Sequence, residues 1–347
     1  MTRSISIINT EIQLINVIEA IHHFKPAENY LVIGQFNIKP DRIHKIEKML
    51  MEPLFSQHFK KIVHLPLYLS NKNPFRFVGY ALAYIKFFFL ILFQKKFDFC
   101  FFGVVTDIIV KPIVYLTQYK NPKCLLCVID EGGRVIVDAK ERAMNERNII
   151  LQNSHPKRLL SGFIQAINRT WIYPSLTYFS VFQLSLLPQD KLIHNDYVFF
   201  KANQLQNSQL KKRAVVMVGI PLCEHNRIPL VQYQKIINTI IAKYDAHPIY
   251  YAPHPMETEY VKWMPKHVTL LHTHYPLELV ILANHAEMLI GFGSTALFNC
   301  AAMKICNNSI SISLDEPNNE GNAEVKAWNR ELLNVGVQVV KPDFFLE

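Results

Sequence analysis

Three short stretches place reactive side chains where an apolar run stops. The first is Asp130-Glu131-Gly132-Gly133, directly after KCLLCVI. Two adjacent carboxylates repel each other and partial burial adds to this, so one holds its proton longer and can serve as a base near neutral pH. The glycines let a ligand approach the backbone closely. Taken alone, the tetrapeptide also reads as a strand-ending turn with two solvated acids. The second stretch is Tyr251-Ala252-Pro253-His254-Pro255. A histidine between two prolines has a confined backbone, so its ring is held at low entropic cost and can hydrogen-bond a phosphate or protonate a leaving group. His254 and Glu257 together suggest a metal, but the prolines preclude a helix presenting both on one face. A lone histidine is usually structural; its place at the end of a buried strand is what argues for chemistry. The third stretch is Gly291-Phe292-Gly293-Ser294-Thr295, a strand-to-helix junction. Backbone N–H groups, the helix dipole and two hydroxyls make a phosphate site there, although an ordinary N-cap serine reads the same way. The junction has no GK[ST] lysine, which excludes a Walker-type ATPase, and it does not match the dinucleotide-binding GxGxxG either.

The elements that must position these loops alternate along the chain, the pattern of α/β layers. EIQLINVIEAIHHF reads as a helix, YLVIGQF as a strand and PDRIHKIEKMLMEPL as a helix with proline in its first turn. KIVHLPL, FDFCFFGVV and KCLLCVID read as strands, while the region from Glu141 to Asn207 is less regular. The polar KANQLQNSQLKKR is the best linker. Beyond it RAVVMVGIP, HPIYYAPHP, HVTLLHT, MLIGFG and a final NSISISL read as strands, with PLVQYQKIINTIIAKY, PLELVILANHAEM and STALFNCAAMK as helices. The expected architecture is two Rossmann-like, doubly wound domains, 1–207 and 208–347, facing a cleft into which strand C-termini bring functional loops.

Composition limits the function classes. Half the residues are hydrophobic and 19% are charged, which excludes wholesale disorder, and only 11 glycines exclude glycine-rich fibres. The formal charge of +9 favours anionic partners (nucleic acid, acidic lipid, phosphorylated or carboxylated small molecules) without choosing among them. Six cysteines sit mostly in apolar runs, as reduced core thiols would in the cytoplasm. Cys124 and Cys127 are three apart, so on a strand they point to opposite faces, and no second pair stands at zinc spacing. The opening MTRSISIINTEIQL is too polar for a secretory signal. FVGYALAYIKFFFLILF, residues 77–93, is short for a membrane span and carries Lys86 at its centre. With Arg76, Lys95 and Lys96 beside it, it reads as a partly exposed core helix or as an aromatic, cationic helix lying on an anionic membrane face.

In order and placement the three loops resemble the bacterial GT-B sialyltransferases, which carry a D/E-D/E-G motif, an HP motif and a later Ser/Ser or Ser/Thr pair. Here these stand as Asp130-Glu131-Gly132, His254-Pro255 and Ser294-Thr295. VVMVGIPL, IYYAPHPME, YPLELV and GFGSTALFNCA look most like glycosyltransferase family 52, which contains lipooligosaccharide sialyltransferases. The resemblance implies an inverting, metal-independent transfer of sialic acid, or a related nonulosonic acid, from its CMP donor to a sugar hydroxyl of a surface glycan.

By the same resemblance Glu131 matches the general base and Asp130 its structural or electrostatic neighbour. His254 matches the group that touches the CMP phosphate and assists its departure. Ser294 and Thr295 match the phosphate-binding hydroxyls, Glu278 the acid that holds the ribose, and Gly132, Pro255 and Gly293 complete the donor site. The base is Glu where many relatives have Asp, and the second hydroxyl is Thr. No cofactor, metal or nucleic acid is expected. The expected partners are the CMP-sugar, a glycan acceptor and an anionic inner-membrane face, with a homodimer left open. CMP is an acidic leaving group, so a base and a phosphate cradle suffice chemically. Two alternatives compete: a GT-B glycosyltransferase using another nucleotide sugar, and a non-catalytic peripheral protein binding glycan or lipid. The second gives the three polar loops no role.

Overall fold

The computed structural model describes residues 1–34, 40–65, 85, 96–103, 110–143, 173, 175–203, 205, 210–254, 256–257, 260–314 and 323–346. The chain divides into two compact units, Met1–Phe199 and Phe200–Glu347; the sequence alone suggested a boundary at 207/208. The 77–93 segment, apart from Ile85, and residues 204 and 206–209 of the proposed linker lie outside the described residues.

In the first unit the described strands are β1 (Arg3–Ile8), β2 (Glu28–Gly34), β3 (Lys61–Leu65), β4 (Phe99–Phe102), β5 (Leu125–Ile129), β6 (Thr177–Ser180) and β7 (Lys191–His194). They form one sheet in the order β3-β2-β1-β4-β5-β6-β7, every neighbouring pair parallel. From β1 the chain winds out to β3, then crosses back to β4 and on to β7, which makes the sheet doubly wound. A parallel sheet is covered on both faces, so its strands read as continuous apolar runs, as LLCVI does in β5. The helix Glu11–Phe24 starts with a full capping box between Thr10 and Gln13 and stops at Lys25 in the left-handed region. Cys124, just before β5, and Cys127, within it, are buried, and all six cysteines are free. Burial pushes the Cys124 thiol up to about 12, so it stays protonated.

The second unit holds β8 (Val215–Val218), β9 (Ile249–Ala252), β10 (Thr269–Leu270), β11 (Met288–Gly291), β12 (Asn308–Ile312) and β13 (Gln338–Val340), in the order β10-β9-β8-β11-β12-β13. All of these pairs are parallel too. Alternation sorts their side chains. Val215, Met217, Ile249, Tyr251, Ile290, Ile310 and Ile312 point to one face and meet Tyr233, Ile236, Ile237, Ile240 and Ile241 of the helix Leu230–Lys243. The opposite face of β8 and β11 carries Val216, Val218, Leu289 and Gly291.

The structure extends the sequence reading at both ends. β1 was not anticipated, because its Ser4 and Ser6 interrupt the apolar pattern yet are fully buried, Ser4 donating to Asn29 Oδ1 at 2.7 Å. β6 and β7 lie in the stretch read as irregular, and NSISISL is not the last strand, since β13 follows and pairs with β12. Among the described residues no helix is long and apolar enough to cross a membrane.

Candidate active site

In the first unit Asp130 follows β5 directly and is 2% exposed. Its Oδ2 accepts the Val181 N–H at 2.8 Å, and its carbonyl accepts Asn16 Nδ2 at 2.9 Å from the helix Glu11–Phe24. Asn195 Nδ2 in turn donates to Asn16 Oδ1 at 3.1 Å. Burial drives the Asp130 carboxyl up to about 7, while hydrogen bonds from the Ser180 hydroxyl and the Val181 N–H hold it down. The sequence argument expected one acid of the pair to hold its proton through repulsion and burial and to act as the base; in the structure the acid pushed up is Asp130, not Glu131, and its causes are burial against the Ser180 and Val181 hydrogen bonds. Glu131 comes next and keeps partial solvent access. Gly132 turns the chain with a φ of 64°, a left-handed value that costs a glycine little. Helix Arg134–Ala143 then begins, its first turn braced by an Arg134–Asp138 ion pair at 3.0 Å. The loop therefore buries the Asp130 carboxylate and leaves Glu131 partly accessible.

In the second unit the chain goes from β8 to β9 on one side and later returns to β11 on the other. Val218 stands level with Ala252 of β9 and Gly291 of β11, so the loops leaving these strands share one edge. That is a topological switch point, where open α/β sheets bind ligands. The His254 loop leaves β9 and the Gly293–Ser294 loop leaves β11, with Gly219 at the end of β8 between them.

Ser294 is the N-cap of helix Thr295–Ala302, its Oγ accepting the Leu297 N–H at 3.2 Å. A hydroxyl that accepts with one lone pair still has its hydrogen to donate to an anion. Thr295 is exposed at the first helical position. Gly293 takes a φ of 70°, and its carbonyl accepts Trp328 Nε1 at 2.9 Å. A Cβ there would stand 3.1 Å from that indole nitrogen, so a larger residue would push the cap from its seat. Glu278, buried in the first turn of helix Leu277–Asn284, accepts Asn299 Nδ2 at 2.7 Å, which ties the two helices together.

His254 is half-buried; Pro255 lies outside the described residues. The His254 N–H donates to Glu257 Oε2 at 2.6 Å, its carbonyl accepts the Glu257 N–H at 2.9 Å, and its Nδ1 accepts the Met256 N–H at 3.2 Å. Glu257 Oε1 accepts Tyr251 Oη at 2.6 Å and Tyr233 Oη at 3.2 Å. Burial pushes the Glu257 carboxyl up to about 6 against the pull of these donors. The sequence reading considered Glu257 only as a metal partner of His254 and missed Gly219, Tyr233, Asn299 and Trp328. A histidine with an acid three residues on, after a strand of alternating Tyr251, was the available signal for this turn. Among the described residues no group of three or more His, Cys, Asp or Glu could hold a metal ion.

Residues 189–314 match the family model of Glycosyltransferase family 52. No curated protein matches the chain in sequence. Among solved structures the chain is similar to an alpha/beta-galactoside alpha-2,3-sialyltransferase from Photobacterium phosphoreum, at 14% identity and a TM-score of 0.55, covering 97% of this chain and 98% of that one. It is equally similar to the UDP-GlcNAc 2-epimerase of Methanocaldococcus jannaschii, at 14% identity and 0.56, covering 99% and 89%. The glycosyltransferase SnogD of Streptomyces nogalater follows at 9% identity and 0.53, covering 98% and 87%. At such identities the likeness carries the fold alone, and the family match carries the chemistry class. Residues 189–314 thus match glycosyltransferase family 52, and the chain is a glycosyltransferase of the GT-B fold.

Proposed function

We infer that this protein is an inverting sialyltransferase that moves sialic acid, or a related nonulosonic acid, from its CMP donor to a sugar hydroxyl of a bacterial surface glycan without a metal ion. The observation that carries this reading is the switch point of the second sheet. His254 and Ser294 leave the strands flanking β8, inside the segment that matches family 52. A phosphate held there meets the first-turn N–H groups of helix Thr295–Ala302, the hydroxyls of Ser294 and Thr295, and the His254 ring. These donors stabilise the negative charge that grows as CMP departs. Glu278 takes the ribose hydroxyls, its carboxylate already oriented by Asn299.

On the first unit Glu131 accepts the proton of the attacking hydroxyl. Asp130, buried and hydrogen-bonded through both its backbone and its carboxylate, shapes the turn that carries Glu131. The basic surplus suits an anionic donor and an acceptor on an anionic membrane, and gives peripheral association with the inner face.

A thermal-shift panel of CMP, UMP, GMP, ADP and UDP, each with and without EDTA, tests the reading. At about one hundred times the dissociation constant a ligand adds ~2.7 kcal/mol to the native state, a rise of roughly 5–10 °C for a unit of this size. CMP is expected to shift the melting temperature selectively and equally in EDTA. A shift by UDP alone, or one that vanishes in EDTA, would replace the sialyltransferase with another nucleotide-sugar enzyme on the same frame. Silence from every nucleotide would favour the non-catalytic alternative.

A further inference from the structure

The turn from His254 to Glu257 is tied more tightly than holding a loop together requires. The His254 N–H, carbonyl and Nδ1 are all engaged within residues 254–257. A ring nitrogen that accepts a hydrogen bond carries no proton, so the neutral ring in this turn has its hydrogen on Nε2. The anchor of the turn is Glu257, 7% exposed, which folds back across the end of β8. A Cβ on Gly219 would collide with its Oε2, so the carboxylate occupies the space that a side chain at 219 would need. Its other oxygen is gripped by Tyr251 and Tyr233, 0% and 3% exposed, whose hydroxyls also meet each other at 3.0 Å. Strand alternation puts this cluster on the sheet face opposite to Gly291, whose own Cβ would lie 3.7 Å from Ser294 Oγ. Glu257 thus approaches the His254 loop from beneath, on the face away from Ser294.

We propose that Glu257, seated over Gly219 and held by Tyr233 and Tyr251, is the positioning residue that fixes the His254 turn and thereby presents the ring to the donor phosphate as an Nε2–H donor. The proposal rests on the functional reading above only for the identity of the phosphate. A carboxylate is needed because one oxygen must accept a backbone N–H while the other accepts two hydroxyls. Glutamine in its place turns an NH₂ toward one of these donors and leaves it unmet.

The test reads the ring and the ligand separately in the full-length protein. Ring ¹⁵N–¹H correlation spectra, with His254 assigned by its loss in His254→Asn, report the tautomer; calorimetry with CMP reports affinity. In the native protein the His254 proton is expected on Nε2. Glu257→Gln, and Gly219→Ala with the carboxylate intact, are each expected to move the ring toward a mixture of tautomers and to weaken CMP binding about tenfold. Tyr233→Phe is the gentler variant, expected to shift both in the same direction by less, and it decides by the same criterion if the other two fail to fold. A wild-type His254 spectrum in the folded variants would overturn the proposal. A changed spectrum with unchanged CMP affinity would uphold the positioning role of Glu257 and remove His254 from the phosphate site.

Discussion

Asp130 should make the first unit lose stability as pH rises, and substitution by asparagine should abolish that loss. In an unfolded chain this carboxyl titrates near 3.8; folded, it is pushed up to about 7. Between those values the folded state holds a proton that the unfolded state has released, so stability falls with rising pH, from its full value below 3.8 to its lowest above 7. A gap of about three pKa units corresponds to ~4 kcal/mol, of which ~3 kcal/mol falls between pH 4.5 and pH 8. The amide introduced by Asp130→Asn would keep an acceptor for the Val181 N–H and turn its hydrogens toward Ser180, without a charge to desolvate. Melting temperatures of both proteins from pH 4.5 to pH 8 isolate the group, because every other titration cancels in the difference. For a unit of residues 1–199 the variant should gain roughly 6–12 °C on the native protein across that interval. A difference that stays constant with pH would show that Asp130 is ionised throughout and that burial does not dominate its carboxylate.

Three further outcomes follow from the site. Glu131→Gln should abolish transfer while CMP affinity by calorimetry stays unchanged, and Asp130→Asn should retain most of the turnover; a dead Asp130→Asn beside an active Glu131→Gln would exchange the two roles. His254→Ala, and Ser294→Ala combined with Thr295→Ala, should each weaken CMP binding about tenfold or more, because each removes hydrogen bonds to a charged phosphate. Gly293→Ala should weaken CMP binding and lower the melting temperature together, since its Cβ crowds Trp328 and its φ of 70° is strained for alanine.

The second unit was legible in the sequence because its local and tertiary demands agree. Most of its strands are short apolar runs, and three of its helices open on a proline or a serine cap, at Pro229, Pro276 and Ser294. The first unit was harder to read because its polar residues go inside. Ser4, Ser6, Asn16 and Ser180 are all 0% exposed, so a pattern that equates polar with outside loses β1 and β6. The three loops were visible because their residues are consecutive. The Glu257 cluster was not, because it joins residues 219, 233, 251 and 257, which meet only when the sheet and its helix are assembled. The shift on Asp130 escaped for the same reason: the sequence shows two acids side by side and does not show which one the sheet buries.

The two sheets also divide the labour in a way their shared topology alone does not require. Each has a switch point, at β1 and β4 in the first unit and at β8 and β11 in the second. In the second, both strands end in glycine, Gly219 just past β8 and Gly291 closing β11, and the loop after Gly291 carries the Ser294 cap. In the first, the same ground is filled from within. Gln13, 1% exposed, accepts the Asn9 N–H at 2.6 Å and the Thr10 N–H at 3.3 Å, and it lies where a Cβ on Gly103 would fall. These N–H groups, at the N-cap and the residue before it, are spent on a side chain of the helix they precede. Glu257 fills the corresponding space over Gly219 in the second unit, so the proposed phosphate site there rests on the Ser294 cap beside Gly291 and not on an empty crevice. In the proposed mechanism the first unit contributes Asp130-Glu131-Gly132, at the end of β5 and away from its own switch point. A carboxylate base needs no anion cradle beside it.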